Sequence, residues 1–508
     1  MLKKYGKGVN KLRKTAVFKN SVWSIAEVLI FPVLMFVATP VFLHRLGPEN
    51  YGIWAVVNII IAGMSVLNVG MADATIRFVS KYRGLDDKVK VAKVVNTTYS
   101  VYMILACIAA VIGWGITVGI ENFQYDFIDY ASRNFNLKYK IREDHMATII
   151  PALKIASVTF GLRFVEQIFL AVFKGFERYD FASQMGIVSK LLILVLNLVW
   201  VLTGHGLIYI LSSSAIVTLI TVSIESLVIK RFLPGFGIIP MIDKATFREV
   251  SGYSVYGWLQ SVLSIFSRQS DKLVVTFIGG FTVVAYYTTA FNVMSQIHAL
   301  FVAATSWVFP AVSRKQEKNE DLARFYYSMQ VLISGGGLFG IISLYLIREF
   351  FLTAWLGPVD YRKTVPYMEA FMCYGTMIVG TIVPYFFING SGKIKITSKF
   401  TVIMLFIQTA TMIIMFRFLG TIGLAWALVV TNIIVQPFFY AILSKSVLKE
   451  KSLFPAVLFP LPALFFIGFC LTNVIWLEAL FFMAIPVSFK YIYFNKADLK
   501  ASLSFLKH

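Results

Sequence analysis

Ser267-Arg268-Gln269-Ser270-Asp271-Lys272 interrupts an apolar run that extends from about Tyr253 to Ile278. The run is long enough to cross a bilayer as a helix. Ions at its depth are costly, roughly 2.5–3.5 kcal/mol each at a helix centre on insertion scales. On a helix, Arg268 and Lys272 are i,i+4 neighbours, and Asp271 is at i+3 from Arg268. The cluster therefore projects largely to one side. That side must meet protein or a water-filled cavity, because lipid does not solvate it.

Apolar runs of this kind recur along the whole chain. It has 508 residues, 58% hydrophobic and 14% charged, whereas soluble domains are nearer half apolar and a quarter charged. The expected fold class is an all-α polytopic membrane protein. The length fits about fourteen spans of roughly 20 residues each. The 46 Phe and 24 Tyr suit lipid-facing helices and interfacial belts. A net charge of +21 points to nucleic acid in a soluble protein. Here the positive-inside bias of cytoplasmic loops explains it, and no nucleic-acid partner is expected. Cys107, Cys373 and Cys470 all lie in apolar runs and lack metal-ligand spacing.

The basic residues sort by segment. Lys3 to Lys19 precede the first run, which extends from about Asn20 to Leu43 and is longer than a signal-peptide core. It reads as a retained first helix with a cytoplasmic N-terminus. Span two covers Tyr51 to about Phe78, and the basic loop Lys81 to Lys93 follows. An outside segment from Ile120 to about His145 carries aromatic residues and acids, and is read as an interfacial helix. With fourteen alternating spans, most Lys and Arg fall inside, and both termini are cytoplasmic. The expected organisation is a cytoplasmic N-terminus (1–19), an N-lobe of six spans (20–229) and a cytoplasmic linker rich in Pro and Gly (230–249). A C-lobe of six spans (250–443), two further spans (444–493) and a cytoplasmic tail (494–508) complete it. A faint repeat supports two halves: Gly47, Tyr51 and Asn58 resemble Gly279, Tyr286 and Asn292. Transporters are commonly built from two such halves with substrate between them.

Several residues carry a family resemblance. Leu46-Gly47-Pro48-Glu49-Asn50-Tyr51-Gly52-Ile53-Trp54 follows the first span, and Gly70, Ala74, Thr75, Arg77 and Phe78 lie in the second. Phe173-Lys174-Gly175-Phe176 follows the fourth, and Arg268, Asp271, Lys272, Leu273, Val274 and Val275 lie in the seventh. Together these resemble polysaccharide transporters of the multidrug/oligosaccharidyl-lipid/polysaccharide exporter superfamily. The resemblance implies a Wzx-type flippase with a MATE-like fold of two six-helix lobes in a V around a cavity, here with two added C-terminal helices. It implies movement of an undecaprenyl-pyrophosphate-linked oligosaccharide across a bacterial inner membrane, for assembly of O-antigen or another surface polysaccharide. The partners implied are that lipid-linked glycan, membrane lipids, a polysaccharide polymerase and a chain-length regulator.

A pyrophosphate crossing a bilayer needs compensating charge and donors. Arg suits it best, because its planar fork binds two oxygens. Arg163 in span four and Arg268 with Lys272 in span seven are the first candidates, with Asp271 as a local partner. Lys154 and Arg77 are weaker cavity candidates, since each can extend to the head groups. Glu27, Glu166 and Asp73 are candidates for coupling or gating, with H+ or Na+ as the coupling ion and no other cofactor. The rival assignment for Arg163 is a structural pair with Glu166. Asn432 and Gln436 share a face of span twelve, suited to sugar hydroxyls or to interhelical bonding. Glu225 and Glu369 read as solvated acids near span ends.

An enzyme is disfavoured. No Walker-type loop appears, and none of the five His has a nearby His or Cys at ligand spacing. A membrane polysaccharide polymerase and an ion-coupled small-molecule antiporter remain the alternatives. The antiporter calls for a more acidic cavity than this chain's basic one.

Overall fold

The computed structural model describes residues 2–64, 71–135, 143–237, 239–318, 320–449, 460–472 and 475–492. Some side chains within these helices lie outside the described residues, Glu27 and Arg268 among them. The elements are α1 (Leu2–Met64), α2 (Met71–Gly84), α3 (Lys88–Phe135), α4 (Glu143–Gly175), α5 (Tyr179–Leu202), α6 (Leu207–Phe232) and α7 (Lys244–Thr305). They continue with α8 (Val308–Glu317), α9 (Leu322–Leu346), α10 (Arg348–Gly390), α11 (Ile394–Leu419), α12 (Gly423–Leu443), α13 (Leu461–Leu471) and α14 (Ile475–Ile492). The chain is an all-helical polytopic membrane protein.

Eight helical stretches among the described residues are long and apolar enough to cross a membrane. Some hold two of the expected spans, as Lys395–Leu448 does for spans eleven and twelve. Their outer faces stay apolar: Phe339, Phe406 and Phe418 are 74%, 70% and 78% exposed. In water such faces would drive aggregation; in a bilayer they are solvated by acyl chains.

Three glycines allow abrupt breaks between helices. Gly47 (φ 77, ψ 157), Gly280 (φ 77, ψ 179) and Gly357 (φ 77, ψ 170) adopt a conformation essentially restricted to glycine. Residues 65–70 of expected span two lie outside the described residues. Span eight is shorter than expected, since α7 ends at Thr305 and α8 restarts at Val308. The expected outside segment begins as a helical continuation of α3 through Phe135, and the side chains of residues 123–145 lie outside the described residues.

The chain divides into two compact units. Unit 1 is Met1–Gln269 with Gly280–Thr282, and unit 2 is Ser270–Gly279 with Val283–His508. In unit 1, α4 is central and packs on α2, α3 and α6. Its core includes Tyr102, stacked on Phe164 at 4.6 Å, and Tyr99, stacked on Phe169 at 5.4 Å. The segment after α6 lies along α3. Asn96 Nδ2 donates to Gly235 O (2.9 Å), and its Oδ1 accepts from Gly237 N (3.0 Å). Met241 N donates to Ser100 Oγ (2.6 Å) and Asp243 N to Thr97 Oγ1 (3.2 Å). Backbone groups that would be orphaned in a loop are thereby satisfied. Asp243 Oδ2 accepts from Thr246 N (2.9 Å), so the connector ends as the N-cap of α7.

Unit 2 is built around α10, which packs on α8, α9, α12 and α13. Phe371 of α10 meets Tyr287 and Phe291 of α7 edge-on, at 4.9 and 5.3 Å. Tyr345 of α9 meets Phe466 and Phe469 of α13 at 5.4 and 5.7 Å, which fixes α13 against the unit.

Candidate functional site

In unit 1 the expected cation is Arg163. It lies within the candidate span Met146–Gly175, on a helix whose inner face is the buried row Phe160, Phe164, Ile168 and Phe169. Arg163 itself is exposed. Among the described residues its guanidinium makes no hydrogen bond and no ion pair, so the pair with Glu166 considered from the sequence does not form. A bare guanidinium within a span requires water or an anionic ligand, since lipid tails supply no acceptor. Its five donors are directed outward and available.

Lys154 is differently placed. Its Nζ lies 2.9 Å from Glu121 Oε2 and 5.7 Å from the centre of the Trp114 ring, tying α4 to α3. Asp73 and Arg77 are both exposed on α2, and the Arg77 guanidinium is 5.9 Å from the Phe78 ring centre. Glu166 is half-buried on α4. Glu27 lies outside the described residues.

The connector end of unit 1 is basic, and the acids Glu249 and Asp243 are held there by hydrogen bonds. Tyr82 Oη donates to both carboxylate oxygens of Glu249, each at 2.8 Å, and Lys81 Nζ lies 3.1 Å from Oε1. The Tyr82 hydrogen bond, helped by Lys81, holds the Glu249 carboxyl below its ordinary value. Burial and the same hydrogen bond push Tyr82 up. Asp243 is likewise lowered, by its bonds to Thr246. These contacts attach the start of α7 to α2.

In unit 2, Asp271 is 3% exposed and its Oδ2 accepts from Tyr287 Oη at 2.9 Å. Its Oδ1 is buried with no hydrogen-bond partner among the described residues. Lys272 is one residue on, and its Nζ lies 4.7 Å above the Phe291 ring. Asp271 is thus bonded to a tyrosine, and Lys272 lies over an aromatic face. Arg268 lies outside the described residues.

Two acids depart from the sequence reading. Glu225 is not solvated but fully buried in α6, because its position falls on the face turned to the helices beneath. Neither of its carboxyl oxygens has a hydrogen-bond partner among the described residues. Glu369 is half-buried and bonded to Arg348 Nε at 2.7 Å. Gln436 acts between helices, with Nε2 donating to Met377 O of α10 (2.9 Å), whereas Asn432 bonds within α12, accepting from Gln436 Nε2 (3.1 Å) and donating to Leu428 O (2.8 Å). Sequence reasoning also missed Tyr287, whose value depends on its placement beside Asp271. Among the described residues no group of three or more His, Cys, Asp or Glu could hold a metal ion.

Residues 17–316 match the model of a family described as polysaccharide biosynthesis protein. The chain is 21% identical over 398 residues to a putative O-antigen transporter of Shigella flexneri, an overlap of 75% of this chain and 87% of that one. Its fold resembles an inward-facing multidrug resistance MATE family transporter of the MOP superfamily, with a TM-score of 0.65 and 14% identity over 83% of this chain and 96% of that one. It also resembles the lipid II flippase MurJ in an inward closed conformation, with a TM-score of 0.61 and 13% identity over 94% and 97% of the two chains.

Proposed function

The chain belongs to the polysaccharide biosynthesis protein family, and from that premise we propose that it is a transporter, not an enzyme, that flips a lipid-linked oligosaccharide. The cargo is an undecaprenyl-pyrophosphate-linked repeat unit, moved from the inner to the outer leaflet of a bacterial inner membrane with both chain termini cytoplasmic. The exported unit feeds a polysaccharide polymerase and a chain-length regulator. The observation that carries this reading is Arg163, exposed within a membrane span and bonded to no protein acceptor among the described residues. A planar fork in that setting matches a phosphate oxygen pair and offsets the charge that otherwise bars it from the bilayer. Lys272 is a second cation at membrane depth, with its Nζ 4.7 Å from the centre of the Phe291 ring. Alternating access moves the cargo past these groups, coupled to an H+ or Na+ gradient.

The test is deletion in the source organism, followed by assay of lipid-linked repeat units on each leaflet. Accumulation on the cytoplasmic side, reversed by the wild-type gene and not by Arg163→Ala, is the expected result. Normal surface glycan in the deletion strain overturns the reading.

A further inference from the structure

Glu225 is the most anomalous ionisable group among the described residues. It lies within the candidate span Leu207–Phe232 and is 0% exposed. Both oxygens lack a hydrogen-bond partner among the described residues. The neighbouring hydroxyls on its own helix are already committed: Thr218 donates to Ser214 O (2.8 Å) and Thr221 to Val217 O (2.9 Å). One turn further on is Ile229, also fully buried.

The helices packed on α6 are α4, α5 and α1. Their described charged groups within and near the spans are Lys154, Arg163, Glu166 and Lys174 on α4, Asp180 and Lys190 on α5, and His44, Arg45 and Glu49 on α1. Of these, only Glu166 is close enough for its charge to be felt at Glu225. Lys154 is turned to Glu121, and Asp180 is 3.3 Å from Arg178 Nε. Among the described residues the charge felt at Glu225 is thus that of another acid.

A carboxylate anion without donors, in an apolar surround and beside a second acid, is not sustainable at this position. We propose that Glu225 is a proton-binding site: it is the neutral acid in the packing seen here, and it gives up its proton only when α4 and α6 part enough to admit water. Proton binding then favours the packed arrangement, and deprotonation favours its opening, because a ligand shifts a two-state equilibrium toward the state that binds it better. Glu166, half-buried one helix away, is the proton's neighbouring acceptor. The site deepens the transport reading above and rests on it only for the cargo that the proton would drive.

Two measurements separate the two claims. Infrared spectra of purified protein in lipid nanodiscs require no transport. The expected result is a protonated-carboxyl carbonyl band in the wild type at neutral pH that is missing in Glu225→Gln. In Glu166→Gln the band remains. Identical wild-type and Glu225→Gln spectra overturn the proposal, even if glycan export is confirmed. Export across a pH series is the second readout. It should vary with pH in the wild type and be flat in Glu225→Gln, with the dependence restored by Glu225→Asp. A Glu225→Gln protein with the wild-type pH profile overturns the coupling. A confirmed band without glycan export would leave the proton site standing and remove the proposed cargo.

Discussion

Tyr287 Oη donates to Asp271 Oδ2 across 2.9 Å, joining the two arms of α7 on either side of the break at Gly280. The bond lies in a buried setting, so its loss is felt as an unpaired carboxyl rather than as one lost contact. Tyr287→Phe is expected to destabilise by about 1–3 kcal/mol, read as a lower unfolding temperature in lipid nanodiscs. Asp271→Asn keeps an acceptor without the charge and should cost less. In the double variant the two losses should add to less than their sum, because they remove one interaction.

Arg163 is exposed, so its removal should leave stability within about 0.5 kcal/mol of the wild type. Export should fall at least about tenfold in Arg163→Ala, the equivalent of one charge-assisted hydrogen bond. Arg163→Lys should recover part of it, since a point charge replaces a two-toothed fork. Quantified surface glycan and membrane protein abundance together decide it; full export from Arg163→Ala refutes the role.

Acid should loosen the start of α7. Glu249 and Asp243 both have folded values below their ordinary ones. Such groups stabilise fully above the unfolded carboxyl range, near about 4, and the contribution is lost as pH falls through the folded value. Protection of amides 244–250 against hydrogen exchange, taken relative to the intrinsic rate at each pH, should therefore be high at pH 7 and fall several-fold below about pH 4. Glu249→Gln should lower protection at pH 7 and flatten the response; protection unchanged between the two pH values contradicts the argument.

Glycine substitutions should rank by cause. Gly47 has φ +77 with nothing within 4 Å of an added Cβ, so Gly47→Ala is penalised by backbone strain alone, about 1–3 kcal/mol. A Cβ on Gly52 would lie 1.9 Å from Phe281 O, a backbone atom, so Gly52→Ala must separate the two segments and should cost more. Gly63 is helical with open space around it, and Gly63→Ala should be neutral or stabilise by about 0.4–1 kcal/mol. Thermal unfolding of the three variants gives the order.

Hydropathy and the distribution of Lys and Arg made the helical membrane class legible, because each span must satisfy its backbone internally and stay apolar over its length. Breaks between spans were legible in part. The Leu-Gly-Pro steps at Leu46-Gly47-Pro48 and Leu356-Gly357-Pro358 marked two of them, whereas the sequence repeat aligned Gly279 and the structure places the positive φ at Gly280. Arg163 was singled out because a cation within an apolar run is conspicuous whatever surrounds it. Glu225 was misjudged because its cost depends on which face of α6 it occupies, and an acid seven residues from a helix end is compatible with either face. Tyr287 had no signal at all, being one tyrosine among 24 until Asp271 is placed beside it.

The connector between α6 and α7 acts as a ruler. Asn96, Thr97 and Ser100 each hold a fixed position along it, and Asp243 at its far end must arrive in place to cap α7. Substitutions between Leu233 and Asp243 that keep these backbone bonds leave the spacing intact. A deletion of even one residue shifts every later contact out of step. Change of length, more than change of identity, is what this stretch cannot absorb.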